Sequence, residues 1–143
     1  MSYDRNNIFA KILRGEIPAC KVYEDERVLA FMDAMPQSDG HTLVIPKVDA
    51  TTVFEIAPDA LGNVMATVQL IAKAALAAFH ADGITIMQFN GAAAGQTVPH
   101  LHFHVIPRYE GKPMRSHARE MADLQVLSAQ AEQLKQQLGK QSS

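Results

Sequence analysis

The chain has 143 residues, 48% of them hydrophobic, and its formal net charge at pH 7 is −2. This length suits one globular domain whose core needs no metal or disulfide cross-link, and the single Cys20 excludes an internal disulfide. The slightly negative net charge provides no overall positive field. This argues against sequence-independent binding to long nucleic acid.

The N-terminal residues carry charges on both sides of a short apolar patch, which is unlike a signal peptide. No stretch of the sequence reaches the roughly 20 apolar residues that a membrane helix needs. Both observations predict a cytoplasmic protein that has no membrane partner.

The N-terminal half of the chain contains one predicted short helix and three predicted strands. Apolar residues at helical spacing, followed by Gly15, predict the helix. Runs rich in β-branched residues predict the strands, the third of which opens on His41 and stops at Pro46. The predicted ranges are residues 8–13 for the helix and residues 21–23, 28–32 and 41–46 for the strands.

The following segment contains a long predicted helix and two more predicted strands. Pro58 suits the first turn of a helix, and apolar residues then repeat at i, i+3, i+4 and i+7 as far as residues 82–83. Strands are predicted at residues 84–89 and 98–106, with a glycine-bounded loop between them. Neighbouring strands without regular crossover helices predict an α+β fold, with an antiparallel sheet and helices on one side. The helix residues expected to face the core are Leu61, Val64, Met65, Val68, Ala72, Ala75, Leu76 and Phe79.

Beyond Arg108 the composition becomes polar, and residues 119–138 place apolar residues at alternating three- and four-residue steps. This spacing predicts a helix with one narrow apolar stripe, formed by Leu124, Leu127, Ala131, Leu134 and Leu138. We therefore divide the chain into a domain at residues 1–112 and a helical extension at residues 113–143. The pattern leaves open whether the extension packs on its own domain or on a second subunit.

Three histidines, His100, His102 and His104, occupy alternate positions of the last predicted strand. Strand alternation points them to one polar face, while the residues between them face the core. A strand selected only for stability has little reason to align three imidazoles whose pKa values lie near neutrality. The row therefore indicates a function.

Two chemistries compete for this row of histidines. The outer two Cα atoms of the row lie roughly 13 Å apart along a strand, which places three side chains poorly for one zinc. Two histidines could bind a metal with a third ligand from elsewhere, although the sequence contains no CxxC or HExxH motif. Alternatively, a neutral imidazole can attack phosphorus and split one displacement into two easier steps.

The loop before the histidines favours phosphorus chemistry. Gly91 and Gly95 bracket small residues, so the backbone N–H groups can approach an anion without obstruction. Gln96 and Thr97 add side-chain donors a few residues before the histidines.

The segment GQTVPHLHFHVIPR resembles the signature His-φ-His-φ-His-φ-φ of the histidine triad proteins, where φ is apolar. Residues 7–47 resemble the N-terminal half of the same family, so that the resemblance covers about residues 7–109. It implies an antiparallel sheet of about five strands, with a short N-terminal helix and a long central helix. It also implies a homodimer that binds a purine nucleotide such as AMP over the histidine row and needs no cofactor.

The resemblance implies a role for four histidines. His102, the middle member of the row, would attack the α-phosphate and form a nucleotidyl-histidine that water then hydrolyses. A hydrogen bond to nearby main chain would hold its attacking tautomer, with His100 and His104 beside it. His41 would support the row from the neighbouring strand.

The resemblance also assigns the nucleotide-binding residues. Asp33 matches the acidic residue that holds the ribose hydroxyls, for which a carboxylate is well suited, although by position alone it could be a turn residue after the second strand. Gln96 would lie nearest the leaving group. The walls of the base pocket would be Phe9, Ile12 and Ile17, and the residues around the phosphates Asn90, Gln96 and Thr97.

Two departures from the family pattern carry information. Some bacterial members hold structural zinc through a CxxC motif and later histidines. This chain has Asn-Ile-Phe-Ala at residues 7–10, and Lys-Val-Asp at residues 47–49 where a histidine often follows. We therefore predict no metal. The loop before the triad has Gln-Thr where other members have Gln-Ser, and it looks closer to bacterial and fragile-type members than to the phosphoramidase branch. This leaves open whether the substrate is a phosphoramidate, an acyl-adenylate or a dinucleoside polyphosphate.

Two other functional classes remain open from the sequence: a non-catalytic purine-nucleotide binder that acts through protein partners, and a metallohydrolase. The remaining polar candidates are interpreted as structural or solvent-exposed. His80 follows a helix C-terminus, His117 lies in the polar tail, and Arg108 could contact either a phosphate or a carboxylate.

Overall fold

The computed structural model describes residues 3–115 and 121–141 of the chain. Within these residues, five strands form one antiparallel sheet in the order β1-β2-β3-β5-β4. The predicted α+β fold, with its five-stranded antiparallel sheet, short N-terminal helix, long central helix and C-terminal helix, is confirmed. The elements are α1 (Ile8–Leu13), β1 (Lys21–Glu24), β2 (Val28–Met32), β3 (Thr42–Pro46), α2 (Pro58–Ala78), β4 (Gly83–Met87), β5 (Phe103–Arg108) and α3 (Leu124–Gln141).

The two central strands β2 and β3 are buried on both faces, and all five residues of each are inaccessible. One face packs against Phe9 and Ile12 of α1, and the other packs against α2 and α3. The prediction that the helices lie on one side of the sheet was therefore wrong. Continuous apolar runs such as VLAFM, without polar alternation, are typical of a strand that is covered on both faces.

Helix α1 is short, and side-chain and backbone features fix both of its ends. Asn7 Oδ1 accepts a hydrogen bond from the Ala10 N–H at 2.8 Å, which caps the N-terminus. Gly15 follows the last turn with φ +78°, a left-handed conformation that terminates helices. With both ends of α1 fixed in this way, Phe9 is held against the face of the sheet that carries the histidines.

Helix α2 packs on the sheet through a stripe narrower than the sequence pattern indicated. Met65 and Leu76 are 40% and 44% exposed, so the prediction that they face the core was wrong. The helix also ends at Ala78, before the predicted residues 82–83, because His80 turns the chain with φ +51°. The buried residues of α2 are Val64, Thr67, Val68, Ile71, Ala74, Ala75 and Ala78.

By length and mean hydropathy alone, α2 could cross a membrane: it has 21 residues and a hydropathy of 1.4. This finding contradicts the expectation that no stretch is long and apolar enough. The core helix of a globular domain passes the same test, and α2 packs against β2, β3, β5 and α3. These contacts account for its apolar character.

Helix α3 packs against α2, β1 and β2 of its own domain. Leu127, Ala131, Leu134 and Leu138 are buried there at helical spacing. Leu124, predicted on the same stripe, is 71% exposed, so its assignment was wrong. It lies at the first residue of the helix, one turn before the buried contacts begin. The predicted helix start at residue 119 lies outside the described residues.

The C-terminal region also holds the loop between β2 and β3. The Arg115 N–H donates to the Gln37 carbonyl at 2.7 Å, and the Ala122 N–H donates to the Ala34 carbonyl at 2.9 Å. The Gly40 N–H donates to Gln130 Oε1 of α3 at 3.2 Å. This loop begins at Asp33 and ends at His41, so the C-terminal region supports the loop that carries two candidate site residues.

Candidate active site

Only one of the three clustered histidines lies in a strand. β5 begins at Phe103, so the predicted strand at residues 98–106 was too early, and His100 and His102 precede it. All three histidines are buried, although their face was expected to be polar. The residues between them lie in the core on the α2 side, whereas His104 pairs with Leu43 on the α1 side. The histidines thus share the face covered by α1.

A main-chain contact determines the tautomer of His102. Its Nδ1 lies 2.6 Å from the carbonyl oxygen of His100. A carbonyl can only accept, so Nδ1 carries the proton and the lone pair of the neutral ring is on Nε2. The Phe9 ring packs edge-on at 4.9 Å between centroids and fixes the imidazole plane. His102 is therefore oriented as a nucleophile through Nε2.

The same reasoning assigns the tautomers of a second pair of histidines, His41 and His104. The Gln37 N–H donates to His41 Nδ1 at 3.0 Å, so the proton of neutral His41 is on Nε2. That nitrogen lies 2.9 Å from His104 Nδ1 and donates to it. Neutral His104 therefore carries its own proton on Nε2. With ring centroids 5.1 Å apart, His102 and His104 place a nucleophilic nitrogen beside a hydrogen-bond donor.

The position of His41 differs slightly from its prediction. It directly precedes β3, which begins at Thr42, and is not the first residue of the strand. Because His41 lies at the end of the loop, its ring nitrogen can reach the main chain of Gln37 four residues earlier. The side chain is fully buried.

Asp33, His41 and His104 each have one potential metal-ligand atom, and these atoms lie within 4.8 Å of one another. Distance alone would permit a metal ion there. The tautomers argue against it, because a neutral His41 that bound a metal through Nε2 would carry its proton on Nδ1. That proton would point at the Gln37 N–H, which can only donate. We therefore interpret this cluster as a hydrogen-bond network.

Asp33 lies directly after β2 and beside this network. Its Oδ1 accepts from the Met35 N–H at 2.8 Å, and its Oδ2 lies 3.4 Å from His41 Nε2. The carboxylate thus stabilises the turn that follows the strand and also reaches the histidine cluster. The two roles considered for this residue are compatible.

The side chain of Gln96 forms hydrogen bonds within the glycine-bounded loop and to the segment after β3. Its Oε1 accepts from the Gly91 N–H at 2.7 Å, and its Nε2 donates to the carbonyls of Thr51 and Val98 at 2.7 and 3.0 Å. Gly91 and Gly95 both have positive φ, +94° and +101°, which the tight loop requires. Contact between Gln96 and a leaving group would therefore require one of these bonds to open.

The other two residues expected near the phosphates differ in their surroundings. Asn90 Oδ1 accepts from the Val53 N–H at 2.9 Å, and its Nδ2 donates to Gln88 Oε1 at 2.8 Å. Asn90 and Gln96 thus both tie the loop to the segment after β3. Thr97 is exposed.

The predicted base-pocket residues lie together on the α1 side of the sheet. Phe9 and Ile12 are buried in one apolar cluster with Leu29 and Phe31, and Ile17 is partly buried against it. Phe9 links this cluster directly to His102 through its ring contact. The pocket residues and the histidines thus share one face.

Two contributors to the site were not predicted from the sequence. The Gln37 main chain sets the His41 tautomer, and no residue pattern reports a backbone donor. Tyr3 hydrogen-bonds His100 Nδ1, from a position 97 residues away in the chain. The His100 Nε2–H donates to the Pro46 carbonyl at 2.9 Å, and burial lowers the pKa of His100, so its ring is neutral.

The remaining candidates lie outside this site. His80 is exposed, Arg108 donates to the Thr85 hydroxyl at 3.2 Å, and Cys20 is partly buried against the core on the α2 side. His117 lies outside the described residues.

Comparisons with known proteins give a consistent result. The HIT domain family matches residues 14–111. The fold is similar to a HIT-like protein from Bartonella henselae, with a TM-score of 0.89 and 50% identity, covering 95% of this chain and 99% of that chain. It is also similar to a Zn-bound histidine triad family protein from Mycobacterium smegmatis, with a TM-score of 0.85 and 36% identity, covering 96% of both chains.

Two relatives have names that state an activity. An adenylylsulfatase from Arabidopsis thaliana is 43% identical over 103 residues, which are 72% of this chain and 52% of that protein. An adenosine 5′-monophosphoramidase from Schizosaccharomyces pombe is 39% identical over 101 residues, which are 71% of this chain and 73% of that protein. This chain thus spans about half of the first relative and about three quarters of the second.

Proposed function

This chain belongs to the histidine triad (HIT) family, and we propose that it is a nucleotidyl hydrolase in which His102 attacks the α-phosphate of a nucleoside 5′-phosphate derivative. The observation that carries this proposal is the 2.6 Å contact between His102 Nδ1 and the His100 carbonyl. It keeps the lone pair of the neutral ring on Nε2, as nucleophilic attack requires.

The proposed reaction has two displacements at phosphorus. In the first, a bond forms between His102 Nε2 and the α-phosphorus, while the bond to the leaving group breaks and its electron pair departs with that group. His104 donates a hydrogen bond from Nε2–H to the leaving atom, which takes up its proton from solvent. The nucleotidyl-imidazole carries a positive charge, which the His100 carbonyl stabilises through Nδ1–H. In the second, water attacks phosphorus and releases a proton to solvent, and the electron pair of the Nε2–P bond returns to His102 Nε2.

The substrate side of the proposal follows from the neighbours of the triad. Asp33 would accept hydrogen bonds from the ribose hydroxyls, and Phe9, Ile12 and Ile17 would wall the base. The relatives named as an adenylylsulfatase and an adenosine 5′-monophosphoramidase support an adenosine nucleotide as substrate. Phosphoramidates, acyl-adenylates and dinucleoside polyphosphates are the candidate substrate classes.

One observation favours a second candidate, a nucleotide-binding protein without turnover. The Gln96 side-chain amide already bonds to the Gly91 N–H and to the carbonyls of Thr51 and Val98, although the resemblance assigns this residue to the leaving group. If those contacts persist when a nucleotide binds, the departing group lacks that donor, and the protein would hold the nucleotide without cleaving it.

Substrate profiling tests these alternatives. We expect the protein to release AMP from at least one of an adenosine phosphoramidate, an acyl-adenylate and a diadenosine polyphosphate, at a rate that a chelator does not change. Chelator resistance is expected because the proposed nucleophile is an imidazole and not a metal-bound water. AMP binding without turnover of any of the three compounds would favour the binding protein, and loss of activity with chelator would favour a metallohydrolase.

We also propose that two copies of the chain associate through the β4 edge of the sheet. β4 is an edge strand, and an uncovered edge is a liability that proteins cover or disrupt. Ile86 of β4 is 47% exposed, and Met65 and Leu76 of α2 also expose apolar surface. Because α3 packs against β1 and β2, we place the second copy at the opposite edge of the sheet.

Replacing Ile86 with lysine is expected to convert the dimer to a monomer, because the charge would be buried at the centre of the proposed contact. Light scattering coupled to size exclusion measures the change. Val126→Lys is the matched control, since Val126 is 48% exposed but lies on α3. A wild-type monomer at all concentrations, or an unchanged dimer in Ile86→Lys, would contradict this assignment.

A further inference from the structure

His100 contributes to the site through its main chain, and its side chain serves as an anchor. The His100 carbonyl receives the Nδ1–H of His102. Residues 100–102 precede β5, so no strand ladder fixes that carbonyl. The segment is held instead by the Leu101 N–H, which donates to the Ala50 carbonyl at 2.8 Å, and by the buried imidazole of His100.

Both ring nitrogens of His100 have partners on other segments. Nε2–H donates to the carbonyl of Pro46, the last residue of β3, at 2.9 Å. Because that nitrogen carries the proton of the neutral ring, Nδ1 is the acceptor, and its donor is the hydroxyl of Tyr3. His100 is thus clamped between the end of β3 and the N-terminal segment.

Tyr3 contacts His100 through its ring as well as through its hydroxyl. Its ring packs edge-on against His100, with centroids 5.5 Å apart and planes at 72°. Phe9 of α1 packs edge-on against His100 at 6.4 Å and against His102 at 4.9 Å. One continuous set of contacts therefore connects Tyr3 with the proposed nucleophile.

We propose that Tyr3 is a positioning residue: its hydroxyl fixes the His100 ring and thereby keeps the His100 carbonyl aligned with His102 Nδ1. Because the Tyr3 hydroxyl and ring both contact His100, we expect Tyr3 to act on the nucleophile and not on nucleotide affinity. The catalytic consequence rests on the proposed function, whereas the effect on the His102 tautomer does not.

Tyr3→Phe tests this role, because it removes one oxygen and keeps the ring packing. We expect kcat to fall on the order of tenfold while KM for the nucleotide stays unchanged. Two-bond 1H–15N spectra of the imidazoles should show His102 protonated on Nδ1 in the wild type and a mixture of tautomers in Tyr3→Phe. Circular dichroism and thermal unfolding define a temperature at which both proteins are folded.

Tyr109→Phe is the matched control, since its hydroxyl also donates to a partly buried partner, the Phe79 carbonyl at 2.8 Å. The control should keep the wild-type kcat and His102 spectrum. An unchanged kcat in Tyr3→Phe, or a reduced kcat with an unchanged His102 spectrum, would overturn the proposal. If the wild type hydrolyses no nucleotide, the proposed function fails, and the His102 spectrum alone decides the role of Tyr3.

Discussion

His102→Asn is expected to reduce hydrolysis on the order of 10⁴-fold or more, because it removes the nitrogen that forms the bond to phosphorus. Asparagine retains an N–H donor near the position of Nδ1, so its amide can still bond to the His100 carbonyl. Nucleotide affinity should therefore change little, since Asp33 and the apolar pocket residues remain. The measurement is single-turnover AMP release together with AMP binding by calorimetry.

The intermediate supplies a second readout for the same variant. Acid quenching of the wild type during turnover should leave protein whose intact mass is increased by one nucleotidyl group, and His102→Asn should show none. His80→Asn is the control, because His80 is exposed and lies outside the site. Hydrolysis at the wild-type rate in His102→Asn would show that another group is the nucleophile.

The histidine row shows which parts of the site a sequence can predict. Alternation correctly placed Leu101 and Phe103, between the histidines, and Val105, after them, in the core, since all three lie in the cluster on the α2 side. The strand bounds were wrong because side-chain anchors hold His100, and an apolar-polar pattern cannot distinguish such anchors from a hydrogen-bonded ladder. Burial of the row was missed because the covering element, α1, has only six residues.

The tautomers could not be predicted from residue types. They depend on main-chain groups, the Gln37 N–H and the carbonyls of Pro46 and His100, whose directions are set by the folded chain. These same groups support the proposed nucleophilic attack over metal binding, a choice that the sequence left open. Residue identity therefore predicted which side chains meet, whereas main-chain geometry indicates what they can do.

The fold was more predictable than the site because helices and strands are indicated by periodic apolar patterns in the sequence. Helical spacing gave α1 its observed bounds, and β2 was also predicted at its observed residues. Helical spacing predicted too many buried residues on α2, because apolar residues on a helix can face either the core or a second copy of the chain. Met65 and Leu76 are exposed in the single chain, so spacing alone assigned them to the wrong surface.

Leu134→Ala is expected to lower the free energy of unfolding by about 2–5 kcal/mol, because Leu134 of α3 is fully buried and its truncation leaves a cavity. Urea denaturation followed by circular dichroism measures this loss. Leu124→Ala makes the same chemical change on the same helix at a side chain that is 71% exposed, and it should cost less than about 0.5 kcal/mol.

The pair of leucine variants also decides where α3 packs. In this structure α3 covers α2, β1 and β2 of its own chain, so the loss in Leu134→Ala should not depend on protein concentration. If α3 instead docked on a second subunit, the stability difference between wild type and Leu134→Ala would increase as concentration rises. Equal losses in Leu134→Ala and Leu124→Ala would show that the helix does not dock at all. Because the tail also braces the loop from Asp33 to His41, a destabilised α3 should weaken nucleotide binding in parallel with stability.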